Sequence, residues 1–210
     1  MTIDPVFARN PKEAERLAGK HMLVVGVGSV GSPLIDMAAR SGVGHFTLVD
    51  PDALSLENVG RHMLSRDSVG QSKVRAMKRA IKAINPAAVV HAIARDFTTL
   101  SPNSLSNGSR PDLIVADTDS FQCQSFVNGV SLEEHIPAVY VGCWGEASVG
   151  EVLYVIPGAT PCFECYAGFR SNTERLPVDD PRRYIAPGPA RQASGVFYPA
   201  PRPGPWAQSA

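Results

Sequence analysis

The sequence predicts an open α/β sheet, mostly parallel and doubly wound, with helices on both faces. Three observations predict it. Short apolar runs alternate with amphipathic stretches along most of the chain. The first run feeds a glycine loop, Gly26-Val27-Gly28-Ser29-Val30-Gly31, that opens a helical pattern. Two later runs end on acids, at Asp50 and Asp117. Continuous apolar runs are the signature of parallel strands buried on both faces, and in such sheets ligands collect at the carboxyl ends of the strands.

Residues 11–18 read as a short helix with Pro11 near its start. Met22 to Val25 is a strand, and Val30 to Arg40 has apolar residues at helical spacing, closed by Ser41-Gly42. His45 to Val49 is the second strand. Residues 51–70 are polar and turn-rich and should wrap over the strand ends. Gln71 to Ile84 is a basic, Ala-rich helix stopped by Asn85-Pro86. Val89 to Ile93 and Leu113 to Ala116 are strands flanking a polar loop at 101–110. Phe121 to His135 reads as helical, and Ala138 to Val141 and Glu151 to Ile156 as further strands. Crossovers should be right-handed. Residues 1–170 are expected to form one nucleotide-binding domain. Eight of the 18 prolines lie between Pro177 and Pro205, so 171–210 is expected to be a weakly ordered, Pro-rich tail.

The 210 residues suffice for one full-sized domain. Lys plus Arg is 20 and Asp plus Glu is 20, which argues against a general attraction to nucleic acid or an acidic membrane. No apolar run approaches the roughly 20 residues that span a bilayer. The first residues have neither the basic start nor the apolar core of a secretory signal. The four cysteines are few and unevenly spaced, which fits a reducing, cytoplasmic location.

The chemistry lies in polar residues that follow the glycine loop. Gly26, Gly28 and Gly31 permit a tight turn, close backbone approach to phosphate and tight helix packing, and the helix start offers unpaired N–H groups to an anion. Asp50, 22 residues after Gly28, ends the second strand, where an acid accepts hydrogen bonds from ribose hydroxyls. That serves a dinucleotide and a mononucleotide alike. Arg61 and Lys73 discriminate, one as a bidentate phosphate clamp and the other as a mobile point charge. A lysine at a helix start opposes the dipole; the alternative is a solvated lysine on a basic helix, since Arg75, Lys78, Arg79 and Lys82 follow. Asp119 is placed to hold a Mg²⁺ that bridges phosphates, with Asp117 as a helper, and Asp119 or Ser120 can also cap the next helix. Cys162 and Cys165 supply half the ligands of a tetrahedral zinc site, with no second pair to complete it. Cys143 reads as a small buried residue in preference to a thioester nucleophile.

The run from Gly26 to Val74 resembles the adenylation domain of the ThiF/MoeB/HesA family, which is related to ubiquitin-activating enzymes. The matching pieces are the glycine loop, Leu48-Val49-Asp50-Pro51-Asp52, Asn58-x-x-Arg61, Gly70-Gln71-x-Lys73, Asp117-Thr118-Asp119, and Pro161-Cys162-Phe163-Glu164-Cys165. The resemblance covers about residues 20–168. It implies a Rossmann-like fold that binds MgATP and adenylylates the C-terminal carboxylate of a ubiquitin-like or sulfur-carrier protein ending in Gly-Gly. Asp50 and Asp52 would then face the nucleotide. Asn58, Arg61 and Lys73 would hold its phosphates and stabilise charge at the α-phosphorus, and Asp119 would bind Mg²⁺. A homodimer is compatible with the family. After about residue 169 the chain departs from the family pattern, which puts carrier capture and zinc binding in doubt. A truncated or accessory nucleotide-binding module without turnover is the second reading. An NAD-dependent oxidoreductase is the third, and it leaves Arg61, Lys73 and Asp119 without a joint use.

Overall fold

The computed structural model describes residues 4–101, 105, 109–144 and 149–172. Parts of the 101–110 loop, and the expected Pro-rich tail from residue 173 onward, lie outside them. The chain divides into two compact units, Met1–Asp117 and Thr118–Ala210.

The first unit contains α1 (Pro11–Leu17), β1 (His21–Val25), α2 (Gly31–Ser41), β2 (His45–Val49), α3 (Lys73–Ile84), β3 (Val89–Ile93) and β4 (Leu113–Ala116). The four strands are all parallel and run in the order β3-β2-β1-β4. The chain steps outward from β1 through β2 to β3 and then returns to the far side of β1. The carboxyl end of β1 is therefore the topological switch point, where open α/β sheets bind ligands. Helix α2 packs on α3, and α3 on β3. Leu23, Val24, Ile35, Phe46, Leu48, Met77, Ile81 and Ile114 are buried among these layers. Helix α2 ends on Gly42, whose left-handed φ of 98° returns the last amides to the carbonyls of Ala38 and Ala39. The polar 51–70 segment folds into short 3-10 turns at Leu56–Arg61 and Arg66–Ser68.

The second unit holds α4 (Phe121–Glu133), β5 (Ala138–Trp144), β6 (Val149–Val155) and α5 (Phe163–Asn172). Strands β5 and β6 are antiparallel, with Tyr140 opposite Leu153. Helix α5 was not apparent in the sequence. Its start is anchored because the Phe163 amide donates to Asn128 Oδ1 at 3.0 Å and the Phe163 ring stacks on Tyr140 at 4.7 Å. No helix among the described residues is long and apolar enough to cross a membrane.

A buried histidine, His21, sits at the amino end of β1, and a half-buried one, His91, in the middle of β3. His21 Nε2 lies 2.9 Å from Thr47 Oγ1, whose hydroxyl donates to the Leu105 carbonyl at 3.1 Å, and Nδ1 lies 2.9 Å from the Ser109 carbonyl. Burial holds the His21 and His91 rings below the ordinary histidine value of about 6.5. The unfolded chain therefore takes up these protons first. The stability they contribute is complete above about pH 6.5 and is lost as pH falls below it. Thermal unfolding followed from about pH 7.5 to 5 should show a falling midpoint. A flat or rising midpoint on acidification would contradict this account.

Candidate functional site

The glycine loop leaves β1 at Gly26, whose φ of 93° is a left-handed conformation that suits glycine. Its amide donates to the Val49 carbonyl at 2.9 Å and extends the strand ladder by one step. The loop closes on Gly31, the first residue of α2. A Cβ at Gly31 would stand 2.5 Å from the Gly26 carbonyl oxygen and 2.7 Å from Asp117 Oδ2, so no side chain fits there. Val30 gives no side-chain cap to α2 and the first turn has no acid. Asp117 takes that place: its Oδ2 accepts the Gly31 amide at 2.5 Å. A carboxylate from the end of β4 thus meets the positive end of α2.

Asp50, at the end of β2, is only 5% exposed. Its two oxygens accept the Val27 amide at 2.7 Å and the Asp52 amide at 2.8 Å. One side chain therefore fixes the glycine loop and the turn after β2. Lys73 completes the arrangement. Segments 52–54 and 70–73 are joined by Leu54 N–H on the Gln71 carbonyl, Gly70 N–H on the Leu54 carbonyl and Lys73 N–H on the Asp52 carbonyl. This brings Lys73 Nζ to 2.8 Å from Asp52 Oδ2 and 3.8 Å from Asp50 Oδ1. Lys73 is 8% exposed, while Arg75, Lys78, Arg79 and Lys82 of the same helix are exposed. The solvated-lysine alternative does not describe Lys73. Two carboxylates offset the cost of a cation at a helix start.

Asn58 and Arg61 lie on the turn between β2 and α3. Asn58 Oδ1 accepts the Ser55 amide at 3.2 Å, which leaves its NH₂ available. Arg61 is exposed at the end of that turn and has no ion pair among the described residues. The next residue is fixed. His62 Nε2 lies 2.9 Å from the Val27 carbonyl, and its Nδ1 accepts the Leu64 amide at 3.0 Å. The Met63 amide donates to Ser32 Oγ, in the first turn of α2, at 3.2 Å.

Asp119 belongs to the second unit, where it is exposed just before α4. Ser120 caps that helix, its Oγ accepting the Cys123 amide at 3.2 Å. Cys123 is buried, but Cys143, expected to be buried, is exposed; it stands on β5 opposite Gly150. Cys162 and Cys165 are free thiols with their sulfurs 3.5 Å apart. Burial pushes the Cys162 thiol up, but hydrogen bonds from Cys165, Asn128 and the Glu164 amide outweigh it and hold the thiol below its ordinary value. Among the described residues no cluster of three or more metal-ligating side chains forms.

The first unit therefore gathers Gly26, Gly28, Gly31, Asp50, Asp52 and Lys73, and ties the Asn58–Arg61 turn to them through residues 62–64. Two contributors were not apparent in the sequence. His62 stands one residue beyond the Asn58-x-x-Arg61 spacing. Asp117 reads as a helper beside Asp119, but its oxygen is on the start of α2.

A sequence profile of the ThiF family matches residues 6–197. Ubiquitin-like modifier-activating enzyme 5 of Drosophila mojavensis is 32% identical over 164 residues, covering 73% of this chain and 41% of the relative. The same enzyme of Drosophila willistoni is 33% identical, covering 73% and 40%. The chain thus spans about two-fifths of the length of these relatives. Among solved structures, Escherichia coli MccB with ATP superimposes with a TM-score of 0.66 at 22% identity, covering 87% of this chain and 60% of MccB. That likeness shows the mostly parallel α/β fold. Escherichia coli tRNA N6-threonylcarbamoyladenosine dehydratase, TcdA, gives a TM-score of 0.58 at 27% identity, covering 67% and 59%.

Proposed function

Because the chain belongs to the ThiF family, we propose that it carries the nucleotide site of an activating enzyme that adenylylates the C-terminal carboxylate of a protein or peptide with MgATP. The observation that carries this reading is Lys73, held beneath the surface between Asp50 and Asp52 beside the glycine loop. A buried ammonium that can exchange an exposed carboxylate for a phosphate suits a triphosphate better than a dinucleotide. The names of the relatives agree with an activating role, as does the ATP bound to MccB.

In the proposed reaction a carboxylate oxygen of the carrier tail attacks the α-phosphorus of ATP, the bond to the β-phosphate oxygen breaks, and pyrophosphate leaves with an acyl-adenylate behind. The attacking group is ionised near neutral pH, so the site needs charge neutralisation and positioning more than a base. Lys73 and Arg61 supply positive charge, the Asn58 NH₂ donates to phosphate, and Asp50 and Asp52 face the ribose. Asp119 offers an exposed carboxylate oxygen, the donor type that Mg²⁺ takes, and the ion would neutralise phosphate charge. The proposed carrier is a ubiquitin-like or sulfur-carrier protein ending in Gly-Gly. The second reading is a nucleotide-binding module without turnover of its own.

Exchange of labelled pyrophosphate into ATP, with a Gly-Gly-ended carrier present, tests the choice. Exchange supports the enzyme; ATP binding without exchange at any carrier concentration supports the module. Replacing Asp119 by alanine should lower Mg²⁺-dependent exchange by about a hundredfold or more while the melting temperature stays unchanged. Exchange preserved within a fewfold would remove Asp119 from the metal site.

A further inference from the structure

We propose that His62 is a positioning residue that holds Arg61 against the glycine loop, and that adding a proton to its ring releases Arg61. The inference rests on the nucleotide reading of Arg61 above. Two backbone groups dictate the ring's state. The Val27 carbonyl can only accept, so Nε2 carries the proton; the Leu64 amide can only donate, so Nδ1 must be bare. A second proton would set the Nδ1 N–H against the Leu64 N–H and break that bond.

The tether reaches the loop from three sides. His62 holds the Val27 carbonyl, Asp50 holds the Val27 amide, and the amide after His62 is held by Ser32 Oγ, fully buried in the first turn of α2. Arg61 itself is exposed, and the bonds made by residues 62–64 fix the backbone that leaves it. The charged groups facing the ring are Lys73 of α3, which repels a proton, and Asp50 at the end of β2, which attracts one. The loop and the first turn of α2, residues 26–32, carry no charged side chain. Burial is the largest influence and, with Lys73, outweighs the Val27 carbonyl and Asp50, so the ring lies below the ordinary histidine value. Arg61 is therefore held in place at neutral pH and is released on acidification.

The test measures MgATP affinity with a fluorescent ATP analogue at about pH 7.5 and 5.5 for the wild type, R61A, H62A, H62Q, H62N and R61A/H62A. His62→Gln keeps a donor for Val27 and His62→Asn keeps an acceptor for Leu64, neither of which titrates, so both remain informative if H62A folds poorly. R61A should weaken binding about tenfold or more. H62A should weaken it about five- to tenfold at neutral pH, the value of one or two lost hydrogen bonds. The double variant should bind no worse than R61A. On acidification the wild type should lose more affinity than H62Q or H62N; the nucleotide's own titration is common to all and cancels. Equal pH dependence in wild type and the two amide variants overturns the proposal, as does full additivity of R61A and H62A. If R61A leaves affinity unchanged, the nucleotide reading of Arg61 fails. If R61A weakens binding and H62A does not, that reading stands and the role of His62 falls.

Discussion

Replacing Lys73 by alanine is expected to lower pyrophosphate exchange by about 10²–10³-fold, the loss typical when one preorganised charge-stabilising group is removed. The same change should destabilise the first unit by about 3 kcal/mol, the lower end of what a stranded buried charge costs. The two effects have separate causes. Stability falls because Asp50 is 5% exposed and keeps its two amide donors but loses its cation. Exchange falls because the ammonium itself is gone. The double variant D50N/K73A should therefore recover only part of the stability, because the asparagine NH₂ faces one of the two amides that the Asp50 oxygens accept, and none of the exchange. Asp52 gives the contrast. Its side chain is 63% exposed, so D52A should cost within about 1 kcal/mol, and Lys73 keeps Asp50. Melting curves and exchange assays on the three variants check this. A K73A protein that melts with the wild type, or exchanges within a fewfold of it, would contradict the assignment.

How much of this was legible in the sequence depends on the kind of interaction. The strands were readable because short, mostly apolar runs bounded by turn residues mark them, and His45–Val49, Val89–Ile93 and Leu113–Ala116 match the sequence expectation to the residue. Helix α5 was missed because its stability comes from Asn128 capping and the stacking of Phe163 on Tyr140, contacts between residues far apart in the chain. Lys73 carried a local signal, a cation at a helix start, but its two carboxylate partners could not be read from spacing alone. Asp117 had only the general signal of an acid at a strand end. Its placement on α2, 86 residues earlier, depends on β4 lying beside β1. Cys143 went the other way: cysteines are often buried, but this one is exposed.

Replacing Gly31 by alanine is expected to destabilise the first unit by about 3 kcal/mol or more. The new Cβ would lie 2.5 Å from the Gly26 carbonyl oxygen and 2.7 Å from Asp117 Oδ2. Neither neighbour can give way cheaply. Gly26 already sits at a φ of 93° with its amide on Val49, and moving its carbonyl would disturb both. Asp117 could swing aside only by giving up the Gly31 amide, which would leave the start of α2 without its acceptor. Gly28 separates space for the fold from space for a ligand. A Cβ there would meet only Asp117 Oδ2, at 3.4 Å, an ordinary contact. Gly28→Ala should therefore melt within about 1 kcal/mol of the wild type. If phosphate approaches the backbone at this glycine, the methyl group should still weaken MgATP binding by about tenfold or more. Denaturant unfolding and nucleotide titration of the two variants decide it. Wild-type stability in G31A would refute the close packing of loop and helix, and wild-type MgATP affinity in G28A would remove that residue from the phosphate cradle.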